Sequence, residues 1–345
     1  MGGTSAERDV SLASGLRVTE ALRSRKHDVT AIDTAKGPLS REGEQALLAR
    51  PVVQPTPPSQ SELQRMARET LPQMQRVLPS LRDGDIVFLG LHGGAGEDGS
   101  IQALLDLAGI PYTGSGHLAS ALAMDKDLSK HLFVRRDVQT AEWVMAIPNS
   151  ANEKDSAGRR FRDEAIARLG LPVVVKPSKQ GSTVGLSVVK SAGALSGAIT
   201  EAFKFDDEVM IERFIAGREL TVGILGEEAL PAGEIIPKHE IYDYECKYQA
   251  GMAVEEFPAK ISATQASKVQ EYARRAFRAL KLRGYARIDF RMTEHGEFYC
   301  LEANTLPGMT QTSLIPQAAA AAGITFPELC ERIVRIALET RGQGG

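Results

Sequence analysis

Four polar side chains near the C-terminus are spaced so that they could form one chemical site. Arg287 and Asp289 lie two residues apart in one predicted strand, and Glu302 and Asn304 lie two residues apart in the next. Residues i and i+2 of a strand face the same side of a sheet. A turn near residues 294–296 predicts a hairpin, which brings the two pairs together. The result is one patch with two carboxylates, an amide and a guanidinium.

This patch favours a magnesium site. Carboxylate and amide oxygens are the hard ligands that Mg²⁺ accepts, usually alongside substrate phosphates. The alternative is a cluster of surface salt bridges. Apolar neighbours argue against it, because a half-buried pair of carboxylates is unfavourable without a cation. Those neighbours are Ile288, Phe290, Leu301 and Ala303.

Two glycine-rich segments compete for the role of a phosphate-binding loop. Residues 94–99 have the pattern Gly-x-Gly-x-x-Gly between an apolar run and a predicted helix, as in a dinucleotide-binding fingerprint. The next strand, residues 110–113, ends without the acidic residue that the fingerprint requires. Glu97 and Asp98 would also repel a pyrophosphate. The sequence therefore disfavours nicotinamide binding.

The second segment, residues 176–185, combines glycines, hydroxyl groups and lysines between two predicted strands. Backbone N–H groups of such a loop can cradle phosphate oxygens, and a lysine adds a point charge. The chain has no Gly-Lys-Ser or Gly-Lys-Thr, so this is not a Walker A loop. An ordinary β-hairpin loop remains the alternative.

Helices and strands alternate in the first third of the chain, which predicts a parallel α/β sheet. The apolar run over residues 85–91 is typical of a strand buried on both faces. The proline-rich residues 34–60 are predicted to be an irregular loop. The other predicted elements here are helices over 10–25, 61–81 and 100–107 and a strand over 27–33.

Closely spaced strands follow and predict an antiparallel sheet. A helix over 124–136 is expected to precede them, with a polar loop over 148–158. The predicted strands cover residues 171–176, 185–189, 208–212, 220–225 and 230–236. An amphipathic helix over 263–280, strands over 284–292 and 297–301 and two C-terminal helices complete the chain.

Composition excludes several classes of protein. The 345 residues are 43% apolar and 25% charged, as in an ordinary globular protein. The net charge of −3 argues against a nucleic-acid partner. Cys246, Cys300 and Cys330 are too scattered for a disulfide framework or a zinc cluster. No segment reaches the ~18 apolar residues of a membrane span, and no signal peptide begins the sequence. We expect a cytoplasmic protein with no membrane partner.

In their order and spacing, the motifs of this chain resemble those of the D-alanine–D-alanine ligases, a family of the ATP-grasp superfamily. The resemblance covers nearly the whole chain. The motifs are residues 2–8 (GGTSAER), 92–99 (HGGAGEDG), 111–116 (PYTGSG), 124–126 (MDK), the loop 176–185, 242–248 (YDYECKY), 287–289 (RID) and 301–309 (LEANTLPGM).

This resemblance implies an α/β fold, in part α+β. It implies a Rossmann-like parallel-sheet domain over residues 1–122, followed by an ATP-grasp unit with subdomains 123–216 and 217–345. The nucleotide would lie between two antiparallel sheets of that unit. The family has a buried strand directly before its Gly-Gly-Thr-Ser turn, where Met1 stands here. We therefore expect an open first sheet, and greater stability for a chain extended upstream by about ten residues.

The implied activity is the ATP-dependent, ADP-forming ligation of two D-alanine molecules through an acyl phosphate. Its product, D-alanyl-D-alanine, is a peptidoglycan precursor for the cell wall and cell shape. The implied cofactors are ATP and two Mg²⁺ ions, with Mn²⁺ able to substitute. A homodimer is expected. Another ATP-grasp carboxylate–amine ligase and a non-catalytic nucleotide-binding protein are the alternatives.

The resemblance also implies individual roles in binding the nucleotide and the metal ions. Asp289, Glu302 and Asn304 match the metal ligands. Glu212 matches a residue that binds the adenine amino group, and Glu219 one that holds the ribose. The full set of implied nucleotide contacts is Lys126, Lys176, Ser182, Thr183, Glu212, Arg213, Phe214, Ile215, Glu219 and Lys247.

Glu7 matches the residue that holds the ammonium group of the first D-alanine, and His92 one beside its carboxylate and the phosphate. Ser182 and Tyr248 match residues linked to Glu7 by hydrogen bonds. Tyr248 also favours a D-amino acid over D-lactate as second substrate. A mobile lid over residues 249–258 is implied as well.

Four further matches concern the second substrate and the tetrahedral intermediate. Arg287 and the backbone N–H of Gly308 match the donors to the oxyanion. Ser313 and Leu314 match the pocket for the carboxylate of the second D-alanine.

Simpler roles remain open for four of these residues. Glu7 could complete a capping box with Thr4. His92 could be a hydrogen-bonded turn histidine, and Tyr248 could be core packing. Lys126 could be a solvated helix residue.

Overall fold

The computed structural model describes residues 1–49, 60–147, 150–152, 154–238 and 251–342. The helices are α1 (Arg8–Ser24), α2 (Arg41–Leu48), α3 (Gln60–Arg82), α4 (Ser100–Ala108), α5 (His117–Met124), α6 (Lys126–Val134), α7 (Ser156–Leu169), α8 (Leu195–Ala202), α9 (Ala263–Ala279), α10 (Leu314–Ala321) and α11 (Phe326–Gly342). The strands are β1 (Ile32–Asp33), β2 (Gly37–Pro38), β3 (Trp143–Met145), β4 (Val173–Pro177), β5 (Ser187–Val189), β6 (Val209–Arg213), β7 (Arg218–Leu225), β8 (Glu228–Ala229), β9 (Gly233–Pro237), β10 (Ala253–Glu256), β11 (Tyr285–Met292) and β12 (Phe298–Asn304).

The parallel pairing expected near the N-terminus is reduced to one bridge. Val87 pairs in parallel with Tyr112. No further part of residues 85–91 forms a strand, so the prediction of a strand over this run was wrong apart from that bridge. Of the predicted strand 27–33, only β1 forms, and it pairs with β2 in antiparallel orientation. Residues 27–32 and 84–91 both line a cavity of about 410 Å³ and do not pair with each other, so neither segment provides the other with the neighbouring strand that a sheet requires.

Residues 34–60 are not the continuous loop that their prolines predict. Helix α2 begins there, with the Ser40 side chain accepting a hydrogen bond from the Gly43 N–H. Its Glu44 forms an ion pair with Arg23 of α1, which fixes α2 against α1. Residues 50–59, where the prolines are concentrated, lie outside the described residues.

The first of two large antiparallel sheets in the described chain has the strand order β3-β6-β4-β5. It packs its apolar face against α7 and α8, and Val173, Ile211 and Leu195 in this layer are fully buried. The antiparallel prediction is confirmed. β3 and α8 were missed, and α7 begins within the predicted loop 148–158, where Asp155 caps it by accepting from the Ala157 N–H.

The second sheet has the order β10-β9-β7-β11-β12, with β8 on β7. Helix α9 packs on it, as its amphipathic pattern predicts, and begins at a capping box formed by Ser262 and Gln265. The predicted hairpin of β11 and β12 is confirmed. It turns at Gly296, whose φ of 75° suits a residue without a Cβ.

The register of this hairpin contains one irregularity. Asp289 stands opposite Glu302, but Phe290 stands opposite Cys300. Leu301 therefore has no counterpart on β11, as in a β-bulge.

Three further observations bear on the sequence predictions. The expected helix over 124–136 is mainly α6, with Asp125 as its N-cap. Cys300 and Cys330 are buried free thiols. In the described ranges, we find no helix whose length and apolar character would let it cross a membrane.

Candidate active site

A cleft between the two large antiparallel sheets contains the residues that the sequence analysis assigns to the nucleotide. β4 and β6 contribute from one sheet, and β7, β11 and β12 from the other. Every assigned nucleotide contact in the described chain lines this cleft: Lys126, Lys176, Ser182, Thr183, Glu212, Arg213, Phe214, Ile215 and Glu219. Lys247 and Tyr248 lie outside the described residues, as do residues 249–250 of the expected lid.

A buried carboxylate lies between two lysines in this cleft. Glu212 Oε1 lies 2.6 Å from Lys176 Nζ, and Glu212 Oε2 lies 2.6 Å from Lys130 Nζ. Burial alone would raise the pKa of Glu212, but the two lysines outweigh it and hold this pKa at about 2. Burial lowers the pKa of Lys130, against the attraction of Glu212. By formal charge, two lysines against one carboxylate leave an excess of positive charge beside the cleft.

Lys126 connects the glycine-rich loop to the acidic patch, by which we mean Arg287, Asp289, Glu302 and Asn304. Its Nζ donates to the carbonyl oxygen of Gln180 at 2.7 Å and lies 3.4 Å from Glu302 Oε2. The residue is 7% exposed. The alternative of a solvated helix lysine was therefore wrong.

The loop of residues 178–186 joins the antiparallel strands β4 and β5, so it is a β-hairpin loop that also lines the cleft. Ser182 and Thr183 have φ values of 51° and 63°. Such left-handed conformations of residues other than glycine store strain of roughly 1–3 kcal/mol and concentrate at functional sites. The Ser182 hydroxyl donates a hydrogen bond to the Glu7 carboxylate. This contact joins the loop to the N-terminal residues.

The acidic patch has the register that the i, i+2 rule predicts. Arg287 stands opposite Asn304, and Asp289 opposite Glu302. The Asp289 carboxylate accepts from the Arg287 guanidinium at 2.9 Å, from Asn304 Nδ2 at 2.9 Å and from Thr221 Oγ1 at 2.7 Å. Asp289 is 6% exposed. The salt bridges of the alternative interpretation are present, from Arg287 to Asp289 and from Lys126 to Glu302, but Asp289 is buried rather than at the surface.

This donor set fits a hard divalent cation. Two carboxylates and one amide side chain supply oxygen ligands only, as Mg²⁺ prefers when phosphates complete its coordination. Within the described ranges, no group of three or more His, Cys, Asp or Glu is placed to hold a metal ion. A cation at this patch therefore depends on the Asn304 amide and on oxygen atoms of a substrate or water.

Glu7 occupies the N-cap position of α1 without capping it through its side chain. The capping box with Thr4 was therefore wrong, and the Thr4 hydroxyl instead contacts the Thr70 hydroxyl. Gly93 approaches Glu7 so closely that a Cβ there would lie 2.7 Å from Glu7 Oε2. Burial and the neighbouring Glu7 raise the pKa of Glu97 to about 8. Two acidic groups thus lie near one another, one of them able to hold a proton at neutral pH.

Both ring nitrogens of His92 are engaged within the protein. Nδ1 lies 2.8 Å from the carbonyl oxygen of Leu306, and Nε2 lies 2.9 Å from Ser14 Oγ. Burial lowers the pKa of His92, although Glu7 opposes this effect. The alternative of a hydrogen-bonded turn histidine is compatible with these contacts.

Ser313 and Leu314 lie at the start of α10, and Gly308 lies in the loop that precedes this helix. Ser313 is its N-cap residue, and its Oγ accepts from the Thr310 N–H at 2.9 Å. A Cβ at Gly308 would lie 2.7 Å from Ser313 Oγ, which brings the two predicted positions together. The N–H groups of a helix N-terminus attract anions.

Two charged residues were missed from the sequence: Arg291, which lines the cleft, and Lys130, which is buried behind it. Arg291 donates to the Ile215 carbonyl at 3.1 Å and lies 3.4 Å from Glu219. It continues the i, i+2 series of Arg287 and Asp289 on one strand, so that rule could have found it. Lys130 follows Lys126 by one helical turn, which is a comparable signal.

Two antiparallel sheets that enclose a lysine-lined cleft, with an acidic hairpin at its edge, define an ATP-grasp protein. Comparison with known proteins narrows this class. The family model "D-ala D-ala ligase N-terminus" matches residues 1–115, and "D-ala D-ala ligase C-terminus" matches residues 132–335. The chain belongs to the D-alanine–D-alanine ligase family.

Individual relatives agree over the whole length. The chain is 44% identical to a D-alanine–D-alanine ligase of Geotalea uraniireducens, with 98% of this chain and 94% of the relative covered. It is 42% identical to the ligase of Geobacter sulfurreducens, with 100% and 95% covered. A crystal structure of the Bacillus anthracis ligase complexed with ATP matches with a TM-score of 0.75 at 29% identity, covering 100% of this chain and 98% of that one. The expected family and fold class are thereby confirmed.

Proposed function

We propose that this chain ligates two D-alanine molecules to D-alanyl-D-alanine, with ATP converted to ADP and phosphate. The observation that carries the proposal is the hydrogen bond from Ser182 to Glu7. It joins the loop assigned to the phosphates with the carboxylate assigned to the first amino acid. Transfer of a phosphoryl group to that amino acid requires the two sites to lie side by side.

ATP is proposed to lie in the cleft between the sheets. Glu212 would accept from the adenine amino group with the lone pairs that its lysines leave free, and Glu219 would hold the ribose. Lys126 and Lys176, together with Lys247, would contact the phosphates, with Ser182 and Thr183 in the loop beside them. Arg213, Phe214 and Ile215 would line the nucleotide site.

Asp289, Glu302 and Asn304 would hold two Mg²⁺ ions, for which Mn²⁺ could substitute. Bound there, the ions would supply neutralisation of the phosphate charge, which dominates catalysis of phosphoryl transfer. The protein itself contributes positive charge from Lys126 and Arg287, which already contact this patch.

The first D-alanine carboxylate would attack the γ-phosphate to give an acyl phosphate and ADP. Glu7 would hold its ammonium group, with Ser182 and Tyr248 orienting Glu7. The amine of the second D-alanine would then attack the acyl carbon, and the tetrahedral intermediate would release phosphate. Arg287 and the Gly308 N–H would stabilise the oxyanion, each by roughly 3–4 kcal/mol.

The second D-alanine carboxylate would bind at the N-terminus of α10, near Ser313 and Leu314. The helix dipole favours an anion there, and Leu314 and Ile315 supply the backbone N–H groups of the first turn, because Pro316 has none. Tyr248 and a lid over residues 249–258 would complete the site, and exclusion of water would protect the acyl phosphate.

The proposed activity also indicates the role of the protein in the cell. The product would serve peptidoglycan synthesis and hence the cell wall and cell shape. We propose a cytoplasmic homodimer with domains over residues 1–122, 123–216 and 217–345.

The test is phosphate release from Mg·ATP with D-alanine, with L-alanine and without an amino acid. Release with D-alanine alone, together with a dipeptide identified by mass, is the expected result. Release only with another pair of substrates would indicate a different ATP-grasp ligase. ATP binding without turnover under any of these conditions would indicate a nucleotide-binding protein and overturn the proposal.

A further inference from the structure

The loop of residues 306–310, which contains Gly308, is held by side chains from the first hundred residues of the chain. The Leu306 N–H donates to Glu97 Oε1 at 3.1 Å. Arg17 Nη1 donates to the carbonyl oxygens of Met309 at 3.0 Å and Thr310 at 2.6 Å. Segments almost 300 positions apart in sequence are thereby joined at the proposed oxyanion site.

His92 and Ser14 add a chain of hydrogen bonds whose direction follows from chemistry. The Leu306 carbonyl oxygen can only accept, so His92 Nδ1 carries the proton between them. The Met309 N–H can only donate, so Ser14 Oγ accepts it at 3.0 Å. The Ser14 hydroxyl can then donate to His92 Nε2, which is an acceptor in this tautomer.

Burial of these groups favours this one arrangement of hydrogen bonds over any other. Ser14 is fully buried and His92 nearly so. Burial also lowers the pKa of His92, which favours the neutral ring that the hydrogen-bond pattern requires. A buried polar group without a partner is unfavourable, so each group here fixes the position of the next.

We propose that Ser14 is a positioning residue, which acts together with His92 to hold the Gly308 N–H in place for the tetrahedral intermediate. The inference rests on the proposed function. Gly308 lies between Leu306 and Met309, the two residues that the Ser14–His92 pair contacts. Ser14 reaches the groups assigned to substrates only indirectly, through the His92 ring and the Met309 N–H.

This role predicts which chemical step becomes slower when Ser14 is substituted. The oxyanion develops during attack by the second D-alanine, so that step requires the Gly308 N–H. Acyl phosphate formation depends mainly on the lysines and the acidic patch. A displaced loop should therefore slow formation of the dipeptide far more than formation of the acyl phosphate.

A matched control lies in the same helix. Thr19 is also buried in α1, and its hydroxyl donates at 2.8 Å to the Gly15 carbonyl one turn earlier. Thr19→Val removes a buried hydroxyl from α1 without changing the 306–310 loop. Ser14→Ala removes one that contacts the loop.

The experiment measures kcat for the dipeptide, KM for ATP and the melting temperature of the full chain. It also measures positional oxygen exchange within labelled ATP, which reports reversible acyl phosphate formation. We expect Ser14→Ala to lower kcat by about 10²-fold, with the exchange rate and KM for ATP retained. Thr19→Val should retain all of these rates. Ser14→Cys, which keeps the shape of the side chain but replaces the hydroxyl with a weakly hydrogen-bonding thiol, provides the same readouts if Ser14→Ala does not fold.

The second part of the test measures the energetic coupling between Ser14 and His92 with a double variant. If Ser14 and His92 hold the loop as one unit, Ser14→Ala combined with His92→Asn should lose clearly less activity than the product of the two single losses. Multiplicative losses would overturn the inference. So would a wild-type kcat in Ser14→Ala, or an equal fall of kcat and oxygen exchange. If the wild-type chain makes no dipeptide, the proposed function itself fails and takes this inference with it.

Discussion

Lys130 Nζ lies 2.6 Å from Glu212 Oε2, and both side chains are almost wholly buried. Lys130 also contacts Thr140 Oγ1 at 2.9 Å, so two of its hydrogen atoms have identified partners. The pair positions a charged group from α6 behind the nucleotide cleft. Removal of the Lys130 amino group should therefore affect both the stability of the protein and its binding of the nucleotide.

Lys130→Met is expected to lower the free energy of unfolding by about 3 kcal/mol, because it removes one partner of a buried ion pair. KM for ATP should rise, since Lys176 alone would then hold Glu212. Urea denaturation and steady-state kinetics measure the two effects. Lys36→Met, at an exposed lysine, is the control and should change neither. A Lys130→Met variant with wild-type stability and KM would contradict this account.

The raised pKa of Glu97 predicts a pH dependence of stability. The ordinary pKa of a Glu side chain is 4.5, and burial beside Glu7 raises this one to about 8. The folded state thus binds the proton more tightly than the unfolded state. The stabilisation is complete below pH 4.5 and is lost as the pH rises through 8.

Urea unfolding between pH 5 and pH 9 measures this dependence. Glu97→Gln has no proton to lose, and its amide cannot accept both backbone N–H groups. It should be less stable than wild type at pH 5, and the difference should narrow as the pH rises. A difference that stays constant would assign the dependence to another group.

Gly93→Ala is expected to weaken binding of the first D-alanine. The new methyl group would lie 2.7 Å from Glu7 Oε2, at a φ of 67°. Gly94→Ala is the matched control, because its φ of 49° is also left-handed but its nearest neighbour is Ser5 Cβ at 3.5 Å. Gly94→Ala should destabilise by about 1 kcal/mol, and Gly93→Ala by more, because the ψ of 167° at Gly93 lies in a region that essentially only glycine adopts. Only Gly93→Ala should raise KM for D-alanine, and an equal rise in both variants would exclude contact with Glu7 as the cause.

The cavity between residues 27–32 and 84–91 predicts an effect of additional residues. Met1 already pairs with β1 and the residue that follows it: its amino group donates to the Ile32 carbonyl at 3.0 Å, and its carbonyl accepts from the Thr34 N–H at 3.1 Å. Residues added ahead of Met1 would extend into the cavity. There they could pair with both segments and bury apolar side chains.

An extension of about six apolar, β-branched residues should therefore raise the melting temperature. It would also replace the buried Met1 amino group, whose pKa burial lowers to about 6. A glycine–serine extension of the same length is the control and should not stabilise. Equal melting temperatures for the two extended chains would show that the cavity does not accept a strand.

Sequence reasoning worked best where a local rule determines geometry. The i, i+2 rule and a short turn were enough to place Arg287, Asp289, Glu302 and Asn304 together. It worked less well for residues 85–91, because a buried strand needs partners and an apolar run does not reveal whether they are present. The contacts of Ser14 and Glu97 with the 306–310 loop join residues more than 200 positions apart, and no local pattern indicates them.

The β-bulge at Leu301 restricts the lengths of the β11–β12 hairpin that are compatible with the site. In a regular strand, Leu301 and Glu302 would point to opposite faces, yet both line the cleft. The unmatched position thus lets adjacent residues offer an apolar surface and a carboxylate on the same side. Deleting one residue between Phe290 and Leu301 would restore strict alternation and turn one of the two away. The hairpin can therefore change length only in steps that preserve this offset, so single-residue insertions and deletions should be far rarer here than substitutions.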